Sequence, residues 1–285
     1  MIKPFKNYFT ASVLVVNYNK KKYIKRCLNS LVYQTKKNFD VIFYDDNSTD
    51  TSILEAKKFI KKLNIRIVKN ISNNKTGITA FDQINSYIQA SKFAKGKIIF
   101  FLDSDDFFKK NKIEYLCDFF MKNPKQKILF DLPYFWFSKK KNINIKFPKR
   151  KFNLSIWPKF PPQSCISIRN HHFKKIKKSL LLNKFGKISL DFRIAIYSFF
   201  IDSDFKIIDK YLTYYFQDNF GESSKFSFFS KNWWKRRYEA HNFLRLFLKK
   251  NKIKYFYSVD YFITFFVCLF LTFMGQIQKI LVQRN

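Results

Sequence analysis

The chain has 285 residues, 47% apolar and 20% aromatic, so it holds enough material for a large core and is neither disordered nor collagen-like. Its 55 Lys and Arg stand against 20 Asp and Glu, a formal charge of +35 that points to an anionic partner, whether a polyanion or an acidic bilayer surface. The wealth of Lys, Asn, Ile and Phe beside only 5 Gly is equally the mark of an AT-rich genome, which would leave part of that charge as drift on solvated faces.

Ala11 to Val16 is a β-branched apolar run that predicts a first strand, ending in the polar turn Asn17-Tyr18-Asn19. No apolar run precedes it, so no secretory signal is expected. From Lys21 to Gln34, Ile24, Cys27, Leu28 and Leu31 recur at helical spacing with lysines opposite. Phe39 to Tyr44 predicts a second strand, which runs into Asp45-Asp46-Asn47-Ser48-Thr49-Asp50. Asp50 or Thr49 is suited to cap a helix over Ser52 to Lys62, and Glu55 stands early, where the helix dipole favours an acid. Ile65 to Val68 is a third strand, and a helix through Ile84, Tyr87 and Ile88 follows the loop near Thr76-Gly77. Strand and helix alternate, which implies right-handed parallel crossovers and a doubly wound sheet.

After the turn pair Lys95-Gly96 come five apolar residues, Ile98 to Leu102, and then Asp103-Ser104-Asp105-Asp106. Such a run reads as a strand buried on both faces, and in an open α/β sheet ligands collect at the carboxyl ends of the strands. Carboxylates this close repel one another unless a cation neutralises them, and hard oxygen ligands favour magnesium or manganese. The inference is a metal-diphosphate site; the bland alternative is an acidic loop capping the next helix.

Three segments taken together, Val13 to Asn19, Asp45 to Asp50 and Phe101 to Asp106, resemble the successive signatures of the family 2 glycosyltransferases of the GT-A fold over about the first 110 residues. The resemblance implies a nucleotide-binding α/β/α sandwich with a mainly parallel sheet, spanning residues 1–220, with 1–110 binding the nucleotide sugar and 111–220 receiving the acceptor. By similarity, Val16, Asn17, Tyr18, Asn19 and Asp46 hold the base and ribose. Asp103 and Asp105 form the Asp-x-Asp pair that engages Mn2+ or Mg2+ and the diphosphate, Asp106 belongs to the same metal group, and Ser104 joins the donor contacts. The family often carries an Arg before the Asn of the helix preceding this strand; here Ile84 stands before Asn85, and Lys75 is the substitute charge for the donor phosphates. The chemistry is consistent with the family. A carboxylate-held metal offsets the charge of a departing diphosphate, and a second carboxylate can deprotonate the acceptor hydroxyl.

Beyond Asp106, Lys112 to Met121 predicts a helix with Ile113, Leu116, Cys117 and Phe120 on one side, and Lys127 to Asp131 another strand. Lys139 to Lys151, strongly basic and broken by Pro148, reads as an exposed loop or hairpin. Phe160 to Ile168 resembles the family's return strand beneath the active site; His171 and His172 read as surface or supporting residues. Asp191 lies among apolar residues beside Arg193 on a helix. The family's catalytic base falls here, as a Glu-Asp pair, but Leu190 takes the place of the Glu. Asp191 is therefore either the base or one half of a salt bridge with Arg193. Tyr211 to Phe216 looks like the strand that closes the domain.

Residues 221–285 read as a helical, basic and aromatic extension. From Trp233 onward Ala240, Leu244 and Phe247 share a face, and the basic residues lie largely elsewhere, a composition suited to an anionic membrane surface and less so to nucleic acid. Tyr261 to Gln278 is uncharged and borderline in length for a span, so spanning, lying in plane and packing on the domain all stay open. The four cysteines, Cys27, Cys117, Cys165 and Cys268, lack metal-ligand spacing and read as reduced, packed thiols. The expectation is an inverting, metal-dependent transferase, hexosyl or N-acetylhexosaminyl in type. It would move a sugar from a nucleoside diphosphate sugar, UDP favoured, to a glycan or lipid-linked acceptor in lipopolysaccharide or capsule synthesis. Its expected place is the cytoplasm, peripherally on the inner face of the membrane. The competing reading is a non-catalytic basic membrane-associated or nucleic-acid-binding protein on a degenerate transferase fold.

Overall fold

A computed structural model of the chain describes residues 9–71, 76, 79–137, 145–146, 156, 159–181, 185–202, 204–217 and 226–282. The first half alternates as the apolar periodicity requires: β1 Ala11–Asn17, α1 Lys21–Val32, β2 Phe39–Asp45, α2 Ser52–Lys57, β3 Ile65–Lys69, α3 Thr79–Ser91 and β4 Ile98–Asp103. β5 Phe107–Phe108, α4 Lys112–Lys122, β6 Ile128–Phe137 and β7 Ile145–Lys146 follow. A 3-10 turn at Gln163–Cys165 leads into β8 Ile166–Arg169, α5 Asn170–Leu180, α6 Leu190–Phe200 and β9 Phe205–Gln217. The chain continues as α7 Lys231–Lys250 and α8 Val259–Val282.

The strands form one sheet in the order β3-β2-β1-β4-β8-β6-β9-β5, with β7 beside β6. β3, β2, β1 and β4 are parallel, as the strand-helix alternation predicts. The second half is mixed: β8 runs antiparallel between β4 and β6, while β6 and β9 pair in parallel. Successive residues of β4 explain its unbroken apolar run. Ile98, Phe100 and Leu102 join the core under α1 and α4, whereas Ile99 and Phe101 join the core under α3, α5 and α6. The result is a helix-sheet-helix sandwich. A third cluster, in which Phe192 and Ile196 of α6 meet Phe243, Leu244 and Phe247, fastens α7 to it.

Gly96 is set by packing as well as by its turn, since a Cβ there would meet the backbone carbon of Ala11 at 2.1 Å. Three expectations shift. α2 ends at Lys57, not Lys62, and continues as tight turns, Phe59 N to Ala56 O at 3.0 Å and Lys62 N to Phe59 O at 2.9 Å, that drop Phe59 into the core. Asp50 does not cap that helix from the N-cap position; it accepts from the Ser52 amide at 2.9 Å and from the Lys21 amide at 3.0 Å, tying α2 to α1. His172 is buried and pairs with Asp202 at 2.8 Å, so it is part of the packing, whereas His171 is exposed. Of the basic stretch 139–151, only β7 is described, and its antiparallel pairing with β6 makes that piece a hairpin arm. Cys27, Cys117 and Cys165 are buried free thiols and Cys268 is half-buried.

Candidate active site

Parallel register brings the functional loops to one edge. Val16 lies opposite Asp103, and Asn17 opposite Asp45, so the ends of β1, β2 and β4 open together at the carboxyl side of the sheet. The β1 and β2 loops are laced by short polar bonds: Asn17 Nδ2 donates to Asp45 Oδ1 at 2.7 Å, and the Thr49 amide to Asn19 Oδ1 at 2.8 Å. Asn19 and Asn47 adopt left-handed backbones, φ 50° and 58°, which asparagine tolerates better than most residues. Asp46 accepts from Asn70 Nδ2 at 2.7 Å, a partner at the end of β3 that no sequence motif marks. Tyr18 is 48% exposed beside these loops, while Val16 and Asn17 are buried in them.

The acidic loop after β4 is more differentiated than its sequence. Asp103 Oδ1 accepts from Gln83 Nε2 at 2.7 Å, Tyr87 OH at 2.8 Å and Gln163 Nε2 at 3.0 Å, which bring α3 and the 3-10 turn to one oxygen. Burial, and then the Asp105 charge, push its carboxyl up to about 7. Asp105 is the outward acid: its Oδ2 pairs with Lys20 Nζ at 2.7 Å and its carbonyl accepts from Arg26 Nη2 at 2.7 Å. Arg26 is wedged among aromatic rings, 4.3 Å from the Trp136 centroid and 4.5 Å from that of Phe216. Asp106 faces inward, where Oδ1 accepts from the Phe216 amide at 2.8 Å, and burial followed by the Asp105 charge raises it well above the usual carboxylate range. Ser104 is buried, so its hydroxyl is packed within the loop and not presented at the surface.

Asp191 enters the same electrostatic neighbourhood. Its charge contributes to the raised values of both Asp103 and Tyr215. It sits in the first turn of α6, where Oδ1 accepts from the Ser189 hydroxyl and from the Phe192 amide, the latter at 2.8 Å. A cavity of about 290 Å3 opens beside it. The salt bridge with Arg193 does not form. Arg193 is fully buried and donates to the carbonyls of Leu180 at 2.6 Å and Ile188 at 3.0 Å. Lys75 lies outside the described residues. Ile84 is core, and its neighbour Gln83 is, with Tyr87, one of two residues of that helix that reach Asp103.

The donor set suits a hard divalent cation, which would relieve the repulsion that helps hold protons on Asp103 and Asp106. Among the described residues no group of three or more His, Cys, Asp or Glu is placed to enclose an ion by itself. An ion here would complete its shell with ligand oxygens, as magnesium commonly does at phosphate sites.

The sequence profile of the family described as Glycosyl transferase family 2 matches residues 12–177, more than half of the chain. The chain belongs to the family 2 glycosyltransferases. Poly(ribitol-phosphate) beta-N-acetylglucosaminyltransferase TarS of Staphylococcus aureus is 36% identical over 105 residues, 36% of this chain and 17% of that protein. Poly(ribitol-phosphate) beta-glucosyltransferase of Bacillus spizizenii is 35% identical over 100 residues, 34% of this chain and 15% of that one. The chain thus spans less than a fifth of the length of these curated relatives. Among solved structures, S. aureus TarS 1-349 in complex with UDP-GlcNAc aligns with a TM-score of 0.57 at 20% identity, covering 84% of this chain and 66% of that one. The mannosyltransferase PcManGT of Pyrobaculum calidifontis, in complex with GDP-Man and Mn2+, aligns at 0.56 and 12% identity, covering 88% and 66%. These likenesses show the shared GT-A fold. The matched region ends before Asp191 and α7; sequence pattern marked Asp191 as a candidate base, whereas the meeting of α7 with it at one cavity is visible only in the tertiary structure.

Proposed function

We propose that this family 2 domain transfers a sugar, hexosyl or N-acetylhexosaminyl, from a nucleoside diphosphate sugar, UDP favoured, to a hydroxyl of a cell-envelope glycan or lipid-linked acceptor. The observation that carries the reading is the convergence of Asp103 and Asp105 with Asp191, from segments nearly ninety residues apart, at the open edge of the sheet. Asp103 and Asp105 would hold Mn2+ or Mg2+, with Asp106 behind them, and the ion would supply Lewis-acid neutralisation of the diphosphate. The chain's own residues do the rest. Asp191 takes the proton of the acceptor hydroxyl as that oxygen bonds to the anomeric carbon and the carbon-oxygen bond to the diphosphate breaks, with inversion. Tyr18 and Asp46 orient the base and ribose, with Asn19 shaping their loop. The named relatives act on poly(ribitol-phosphate), which supports a cell-wall polymer of teichoic-acid type alongside lipopolysaccharide or capsule as the acceptor class.

We further infer a place on the inner face of the membrane. Val259–Ile277 is long and apolar enough to cross a bilayer, only 11% of it is buried, and Phe266, Phe270 and Phe273 stand exposed along it. Asp260 at its start pairs with Arg237 at 2.6 Å, which holds one end of α8 on α7 and favours peripheral, in-plane contact. The test of the transferase reading is melting of the full chain with UDP, GDP and manganese, followed by donor turnover. UDP with manganese should raise the melting temperature, since a ligand of the native state alone must do so. Asp103→Ala and Asp105→Ala should lose turnover while staying folded; full activity in both would remove the mechanism. Absence of any nucleotide shift together with tight, salt-resistant RNA binding would favour a basic binding protein instead.

A further inference from the structure

The cavity beside Asp191 has a wall that residues 12–177 do not supply. It lies between the first turns of α6 and α7, with Ser189 and Asp191 on one side and Trp233 and Arg236 on the other, and Phe160 and Phe192 also line it. Ser189 joins the two sides: its hydroxyl donates to Asp191 Oδ1 and accepts from Arg236 Nη2 at 3.3 Å. Arg237, also at the cavity, is committed to Asp260. Arg236 is different. Its guanidinium stacks 4.6 Å from the centroid of Phe226, it is half-buried, and among the described residues no carboxylate lies within ion-pair distance of it.

A half-buried guanidinium held, among the described residues, by a ring and one long hydroxyl bond has donors to spare, and its planar fork matches phosphate oxygens. A neutral acceptor would gain little from that charge, whereas a phosphate would both complete the hydrogen bonds and offset the cost of desolvating the arginine. The apolar walls with a few convergent polar groups have the make-up of a small-molecule site. Resting on the transferase reading above, we propose that this cavity is the acceptor site and that the acceptor bears a phosphate, bound by Arg236, next to the hydroxyl presented to Asp191, with the carbon skeleton against Trp233.

The probes are ribitol 5-phosphate and ribitol, titrated calorimetrically into the full chain at about 0.15 M salt so that diffuse attraction to surface lysines is screened. Ribitol 5-phosphate should bind about tenfold or more tightly than ribitol, as one charge-assisted fork warrants. Arg236→Ala should abolish that preference, Arg236→Lys should keep part of it, and Trp233→Leu should weaken the phosphate probe without erasing the preference. Melting curves of each variant establish that it is folded. Equal affinity for the two probes, no binding of ribitol 5-phosphate, or a preference that survives in Arg236→Ala overturns the assignment. UDP binding is measured separately. A nucleotide that binds where the phosphate preference is missing sinks the acceptor site alone, and a phosphate preference without nucleotide binding sinks the transferase reading, and the acceptor role with it, while the phosphate site at Arg236 stands.

Discussion

Asp191 and Arg193 stand two residues apart on α6 and serve opposite sides of it: the acid lines the cavity, and the guanidinium closes on buried carbonyls, among them Phe185 O at 2.5 Å. A neighbouring pair of opposite charges here is therefore two separate devices. Asp191→Asn should lower the transfer rate by about 10²–10⁴ while UDP still binds, as loss of a general base would. Arg193→Met should leave those carbonyls without donors and destabilise the fold by about 2–4 kcal/mol, read by urea unfolding. If Arg193→Met instead abolished transfer at unchanged stability, the assignment of the two roles would be wrong.

Arg26 acts on Asp105 through its backbone, and the aromatic cage fixes where the guanidinium can point. Arg26→Lys keeps a charge but not the fork or the stacking, so it should lose about tenfold in donor turnover with a smaller change in melting. A variant indistinguishable from the parent in both would show that the cage does not position the loop.

The pH dependence follows from Asp103. Its folded value, raised to about 7 mainly by burial, lies above its ordinary value of 3.8. In the folded state the carboxyl keeps a proton that the unfolded chain has already released, so its stabilising contribution is full below about pH 4 and is lost as pH rises through about 7. The metal-free protein should thus melt at lower temperature at pH 8 than at pH 5.5, and Asp103→Asn should lessen that slope, the inward Asp106, raised in the same direction by burial, supplying the rest. The same slope in Asp103→Asn would assign the effect elsewhere.

Lys112 and Asp131 form a fully buried ion pair at 2.7 Å, and Lys112 also donates to Ser164 O at 2.7 Å and Thr213 Oγ1 at 2.6 Å. Removing one charge strands the other, so Lys112→Met should cost about 3–5 kcal/mol by denaturant titration. Lys112→Met with Asp131→Leu should recover much of it, because no buried charge is then left unpaired. A double variant no better than the single would show that the hydrogen bonds to Ser164 and Thr213 stabilise the fold more than the ion pair does.

Much of this protein is written in local pattern. The runs at β1, β2 and β4 are mostly apolar because both faces of those strands are covered, interrupted by the buried pair of Ser12 and Asp40, and parallel register aligns the strand ends at which Asp45 and Asp103 fall. Hydrophobic period and turn chemistry act over a few residues, so they are visible in the chain itself. What the tertiary structure decided is how each polar side chain is used. The insertion of β8 between β4 and β6 brings Gln163 against Asp103 from sixty residues away. Packing turns Asp106 inward and Asp105 outward, and it buries Lys112, the first residue of its helix, as the partner of Asp131. Those outcomes depend on long-range pairing and on which charges lose their water, and neither is encoded in the spacing of neighbouring residues.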